Sequence, residues 1–119
     1  MIKYGRQFIN SDDKKAVLSV LSSDWLTQGP KINEFENSLR KFFGAKHCCV
    51  VSSGTAALHL TGLALGWKPG DVVLSSPISF LASSNSIIYS GATPDFVDID
   101  AKTYNIDPDK LEGKIKSYL

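Results

Sequence analysis

No apolar stretch in this chain is long enough to cross a bilayer, so no membrane partner is expected. Charge of one sign is also missing. Thirteen Lys and Arg against twelve Asp and Glu leave a formal net charge of +1, and no basic run interleaves with aromatics. The electrostatic footprint of a nucleic-acid binder is therefore absent. Met1 to Arg6 have no apolar core behind their charges, which argues against a signal peptide and for the cytoplasm. Cysteine is scarce: Cys48 and Cys49 are neighbours in a strand-like run, so their side chains should point to opposite faces. That geometry opposes a shared metal, two ligands would be too few, and two buried, reduced thiols are expected. His47 and His59 have no ligand-spaced partners and read as core or rim residues, and with Gly-x-Ser-x-Gly absent no Ser/His/Asp triad can be argued.

What is present is an ordinary globular composition, 43% apolar and 21% charged over 119 residues, enough for at most one domain. Asn10 or Ser11 can cap a first helix, with Asp12 and Asp13 at its positive end and Ala16, Val17, Val20 and Leu21 on one face. The interruption "SSDWLTQGP" (22–30) leads into a second helix, whose stripe is Ile32, Phe35, Leu39, Phe42 and Phe43 and whose stop is Gly44. His47 to Val51 then reads as a buried strand, and Ala56 to Leu65 as a helix apolar on most sides and hence packed beneath other elements. Val72 to Leu74 reads as a short strand, Leu81 to Tyr89 as a helix, and Phe96 to Ile99 as a third strand. Asp107-Pro108 opens a final helix to about Ile115. Strands alternating with helices predict an α/β protein with a mainly parallel sheet. Three strands would leave that sheet incomplete with exposed edges, so a chain cut short is expected.

The turn Ser52-Ser53-Gly54-Thr55 joins the first of these strands to the apolar helix. The first N–H groups of a helix are unpaired and its dipole is positive there, an environment that suits a phosphate monoester. No Gly-Lys-Ser/Thr follows and only one glycine is present, so the turn is neither a Walker A loop nor a dinucleotide fingerprint. The competing reading is that Ser53 or Thr55 merely caps the helix. Phe80, in "SSPISFLAS" (75–83), follows the next strand at the edge where α/β sheets bind ligands, and could cover a flat ring or simply pack in the core. Trp25, among polar residues, is open to both readings as well.

The collinear motifs "DWLTQGP", "SSGTAAL", "PGDVVLSSPISFLASSNSI", "GATPDFVDID" and "TYNIDPDKLE" resemble the N-terminal part of the DegT/DnrJ/EryC1/StrS sugar-nucleotide aminotransferases. Members are pyridoxal-phosphate (PLP) enzymes of the fold-type I, aspartate-aminotransferase-like class. The opening through "SDWLTQGP" looks most like the branch that aminates C4 of a UDP-4-keto-6-deoxy sugar on the way to pseudaminic acid. The resemblance implies that Gly54, Thr55 and Ala56 hold the cofactor phosphate and that Phe80 stacks on its ring. Tyr4, Trp25, Leu26, Thr27 and Ser53 would lie near the sugar nucleotide. It further implies a homodimer, an amino donor such as glutamate, residues 1–30 as an N-terminal helix and substrate-side loop, and residues 31–119 as the first part of the PLP-binding large domain.

No residue here matches the family's Schiff-base lysine or the acid that protonates the pyridine nitrogen; Asp98 and Asp100 are in the wrong segment, and no catalytic residue is assigned. The expectation is an inactive fragment of an aminotransferase, at best marginally stable alone. Beside it stand a dehydratase of the same family, which carries histidine in place of that lysine, and a non-catalytic phosphate- or nucleotide-binding module complete at 119 residues.

Overall fold

Asn10 opens the first regular element of the computed structural model, which describes residues 5–119. Its Oδ1 accepts from the N–H groups of Asp12 (2.7 Å) and Asp13 (3.1 Å), and the Asp13 carboxylate accepts in return from the Asn10 N–H at 2.8 Å. This capping box satisfies the open donors at the start of helix α1, Ser11–Leu21. Gly29 then caps α2, Pro30–Phe43, with Pro30 in the first turn where its missing N–H costs nothing. Gly44 ends the helix with φ 64°, a left-handed conformation that a side chain would disfavour. The predicted stripe is present but open to solvent: Phe42 is 82% and Phe43 71% exposed, and only Leu39 is half-buried.

The chain forms two compact units, Met1–Val50 and Val51–Leu119. At the end of the first, the strand expected over 47–51 does not form. A strand exists through its ladder, and no described residue pairs with this segment. Its Val50 N–H instead donates to Glu36 Oε1 at 2.9 Å. Without a sheet to cover them the thiols are not buried either: Cys48 is half-buried and Cys49 exposed.

The second unit begins with α3, Gly54–Ala64, and continues through β1, Val72–Ser75, α4, Ala82–Tyr89, and β2, Thr93–Phe96, to α5, Pro108–Lys116. β1 and β2 pair in parallel, Val72 opposite Thr93 and Ser75 opposite Phe96, with α4 as the crossover. The last strand thus lies three residues earlier than its apolar run suggested. Gly91, at φ 86°, completes the turn, and the ladder starts at once with the Thr93 N–H donating to the Asp71 carbonyl at 2.9 Å. The Val97 N–H donates to Ser75 in the same way, a two-residue period that turns the donor-less nitrogen of Pro94 away from β1. Beyond Val97 the chain leaves the sheet, and Ile99 bridges antiparallel to Ile106.

The small core of this unit comprises Ala82, Ile87, Ala92 and Val97, with the hydroxyls of Ser86 and Ser90 buried beside them. Those hydroxyls bond back to the carbonyls of Ser83 (3.0 Å) and Ser86 (2.9 Å), so burial leaves no donor unpaired. α3 packs on α4 across this small-residue face but is not covered on its other sides: Leu58, Leu60 and Leu63 are 43–50% exposed. The closest approach is at Gly62, where a Cβ would stand 2.5 Å from both Ser90 Oγ and Trp67 Cε3. Gly62→Ala should accordingly destabilise the fold by about 1–3 kcal/mol through overpacking, read as a lower midpoint in urea with an unchanged slope.

Helix α5 is tied to β2 by charge. Asp107 caps it, accepting from the N–H groups of Asp109 and Lys110. Asp95 receives the Lys114 ammonium at 2.6 Å, the Tyr118 hydroxyl and the Phe96 N–H. The Lys114 hydrogen bond first, then Tyr118 and Phe96, hold the Asp95 carboxyl at about 2 against its ordinary 3.8. A carboxylate depressed in the folded state adds stability above its unfolded value, and loses it as pH falls through the window between about 4 and 2. Asp95→Asn should therefore lower the thermal midpoint at pH 7 and flatten the acid limb of the stability curve across that window.

Candidate functional site

The start of α3 is built by Ser53. Its backbone is extended (φ −160°, ψ 159°), and its Oγ accepts from the Ala56 N–H at 3.2 Å, while its carbonyl takes the Ala57 N–H at 3.1 Å. Ser53 is thus the helix cap. Two donors remain ahead of those it engages: the N–H groups of Gly54 and Thr55 have no acceptor among the described residues. The Thr55 hydroxyl is likewise unpartnered there, and the Ser53 hydroxyl proton is still available to donate. No heavy atom outside its chain neighbours lies within 4 Å of where a Gly54 Cβ would be, so a ligand atom can come close to the backbone. An eleven-residue helix behind these groups adds its positive dipole end. Together these features suit a dianionic phosphate.

Phe80 lies just before α4, in the loop that leaves the carboxyl end of β1. The loop is tied down at both ends of its turn. Ile78 N–H donates to Ser76 Oγ at 3.3 Å, Ser83 N–H donates to the Phe80 carbonyl at 2.9 Å, and the hydroxyls of Ser79 and Ser83 meet at 2.9 Å. Against this fixed backbone the Phe80 side chain is 77% exposed, so it serves no core. The contacts between α3 and α4 advance together along both helices, His59 against Tyr89 and Gly62 against Ser90, which sets the Ser53 turn and the Phe80 loop at the same end of the pair. Sequence reasoning passed over Ser79 and Ser83; their four-residue spacing at a helix start was the available signal.

The other residues that the resemblance expected near a sugar nucleotide fall in the first unit. Ser23 folds the loop after α1: its Oγ donates to the Val20 carbonyl at 2.8 Å and accepts from the Trp25 N–H at 3.3 Å. Gln28 takes a positive φ of 51°, and a Cβ on Gly29 would stand 2.9 Å from Trp25 Cβ, so only glycine lets the chain turn back so closely. The result presents Trp25 and Leu26 to solvent, at 63% and 64% exposure, with Thr27 exposed beside them. Tyr4 lies outside the described residues. Asp98 and Asp100 are occupied structurally. Backbone N–H groups, of Ile99 for the first and of Thr103 and Lys102 for the second, hold both carboxyls below the usual range, with Lys110 contributing at Asp98 and the Thr103 hydroxyl at Asp100.

The model of the DegT/DnrJ/EryC1/StrS aminotransferase family matches residues 7–118. The chain belongs to that family. It is 46% identical over 114 residues to the spore coat polysaccharide biosynthesis protein SpsC of Bacillus subtilis, covering 96% of this chain and 29% of that protein. It is 42% identical over 115 residues to the UDP-4-amino-4,6-dideoxy-N-acetyl-beta-L-altrosamine transaminase of Campylobacter jejuni, covering 97% of this chain and 30% of that one. Among solved structures, the PLP form of the putative sugar aminotransferase Spr1654 from Streptococcus pneumoniae superposes with a TM-score of 0.86 at 36% identity, over 94% of this chain and 29% of that one. PseC of Helicobacter pylori, an aminotransferase involved in pseudaminic acid biosynthesis, gives 0.85 at 39% identity, over 93% and 30%. The parallel pair and its helices are thus part of the fold-type I aminotransferase architecture, and the chain spans less than a third of the length of these relatives. No helix among the described residues is long and apolar enough to cross a membrane.

Proposed function

We propose that this chain supplies the phosphate cradle and part of the substrate pocket of a PLP-dependent aminotransferase that aminates C4 of a UDP-linked 4-keto-6-deoxy-N-acetylhexosamine. The observation that carries the cofactor half is the pair of unengaged N–H groups on Gly54 and Thr55 at the positive end of α3. They would bind the phosphate together with the Thr55 hydroxyl, while Ala56, its N–H engaged by Ser53, shapes the turn. Phe80, held on a braced loop with its ring exposed, would cover one face of the pyridine ring. PLP, when bound, supplies the electron sink that makes amino transfer feasible. This chain's part is to grip the phosphate, fix the ring plane and screen one ring face from water.

The substrate half rests on the kinship with the Campylobacter and Helicobacter enzymes and on the loop 23–29. Its tight turn costs two exposed apolar side chains, Trp25 and Leu26, which a sugar nucleotide would cover. Residues 1–30, with Tyr4 included, would form the substrate side, and 31–119 the first part of the cofactor domain. Ser53, with its hydroxyl proton free, would also lie near the sugar nucleotide. Glutamate as amino donor and a homodimeric assembly complete this reading. No lysine of this chain is assigned a role in the chemistry.

Two sets of variants, made in the protein that carries this segment, test the halves separately. Thr55→Val removes a hydrogen bond to a charged group and should raise the PLP dissociation constant by at least about tenfold, roughly 1.5 kcal/mol, and Phe80→Ala should raise it by several-fold. Cofactor affinity unchanged in both would overturn the cradle. Trp25→Ala should raise KM for the UDP-linked keto sugar by about tenfold or more and leave PLP affinity as it was. A KM that does not move removes the loop from the substrate pocket.

A further inference from the structure

Resting on the cofactor reading just given, we propose that His59 is a positioning residue, whose contact with Tyr89 fixes the spacing between the phosphate turn and the loop that carries Phe80. His59 lies four residues beyond Thr55 and so shares its face of α3, one turn deeper. Its half-buried ring meets the Tyr89 ring edge-on, centroids 5.6 Å apart at 67°. Tyr89 is the last residue of α4, and its hydroxyl stands 3.5 Å from the Asn85 amide nitrogen, one turn back along that helix. The Asn85 N–H in turn donates to the Leu81 carbonyl at 3.0 Å, adjacent to Phe80. Contacts therefore run from beneath the phosphate donors, across to α4, and back up to the ring platform.

A ligand with a phosphate at one end and a flat ring at the other needs those two features at one separation. The buried residues of the two helices are Gly62, Ala82, Ser86 and Ile87, with Ser90 just beyond α4, and all but Ile87 are small. Small residues permit close approach but offer few side-chain knobs against sliding along the helix axes. The His59–Tyr89 pair is the one aromatic contact between the two helices among the described residues, and its edge-on geometry resists such sliding. His59 makes no side-chain hydrogen bond to any described residue, so its ring contact is what it offers.

The test uses the PLP-loaded protein carrying this segment, with the visible circular dichroism of bound PLP and its dissociation constant as readouts beside the thermal midpoint of the apo form. His59→Ala should weaken PLP about tenfold and change the dichroic band, whereas His59→Phe, which keeps a ring, should bring both back to within about twofold of the parent. Tyr89→Leu, at a half-exposed position, should reproduce the His59→Ala loss, and the double variant should add nothing to it. A lower midpoint with unchanged affinity and dichroism would make the pair packing alone and overturn the proposal. So would failure of His59→Phe to restore the signal. Thr55→Val measured alongside separates the two levels: if it weakens PLP while His59→Ala and Tyr89→Leu do not, only the positioning role falls; if none of the three does, the cofactor cradle falls with it.

Discussion

The parallel pairing of β1 with β2 is the constraint that the second unit obeys. Two strands that run the same way cannot be joined by a tight turn, so the chain must leave the carboxyl end of β1, cross over the sheet and re-enter beside it. Three things follow from Val72 standing opposite Thr93. The loop 76–81 is placed at the carboxyl end, where Phe80 is free of the core. α4 is held over the sheet with Ala82, Ser86 and Ser90 buried, residues small enough to let α3 lie close. And Gly62 becomes the point where nothing larger than hydrogen fits between Trp67 and Ser90. The exposed Phe80 loop and the close pairing of α3 with α4 are therefore consequences of one backbone ladder and the small side chains that let a helix settle over it.

What could be read from the sequence was whatever depended on near neighbours in the chain. The cap at Asn10, Pro30 in the first turn of α2, Gly44 at its end and Asp107 before α5 each act within four residues, and each formed as expected. Strands depend on residues far away, and there local reading slipped. Phe96 to Ile99 is the more apolar run, yet the ladder takes Thr93 to Phe96, because Gly91 ends the turn early and Asp71 offers its carbonyl at once. His47 to Val51 has every local mark of a strand and forms none, since no described residue pairs with it. The turn at Ser53 was legible as a helix start that would suit either a cap or a phosphate, and the choice between those readings rested on collinear motifs that no single window contains.

Apolar periodicity is a demand for covering surface, and in this chain much of that demand is unmet. α3 is apolar on most sides, as a helix buried beneath other layers would be, yet Leu58, Leu60 and Leu63 remain about half exposed. Along α2 the aromatic stripe from Phe35 to Phe43 is open in the same way. Exposed apolar area on this scale is the kind that interfaces cover, and the solved Spr1654 chain that contains the matching segment is more than three times as long. Apolar pattern alone therefore overstated burial for α3 and for the run 47–51.

The turn at Ser53 shows why capping and ligand binding need not compete. A helix opens with four unpaired N–H groups, and a cap can serve only those its side chain reaches. From an extended backbone, Ser53 Oγ reaches the third residue of α3 and engages Ala56. The Ser53 carbonyl takes Ala57, and the first two donors, on Gly54 and Thr55, are left pointing outward. An Asn10-type cap, whose oxygen engages the second and third N–H groups together, would have consumed one of these two. A serine here stabilises the helix while keeping its two leading donors and its own hydroxyl proton available. The bland reading of Ser53 as a cap is correct, and it is what gives the phosphate reading its geometry.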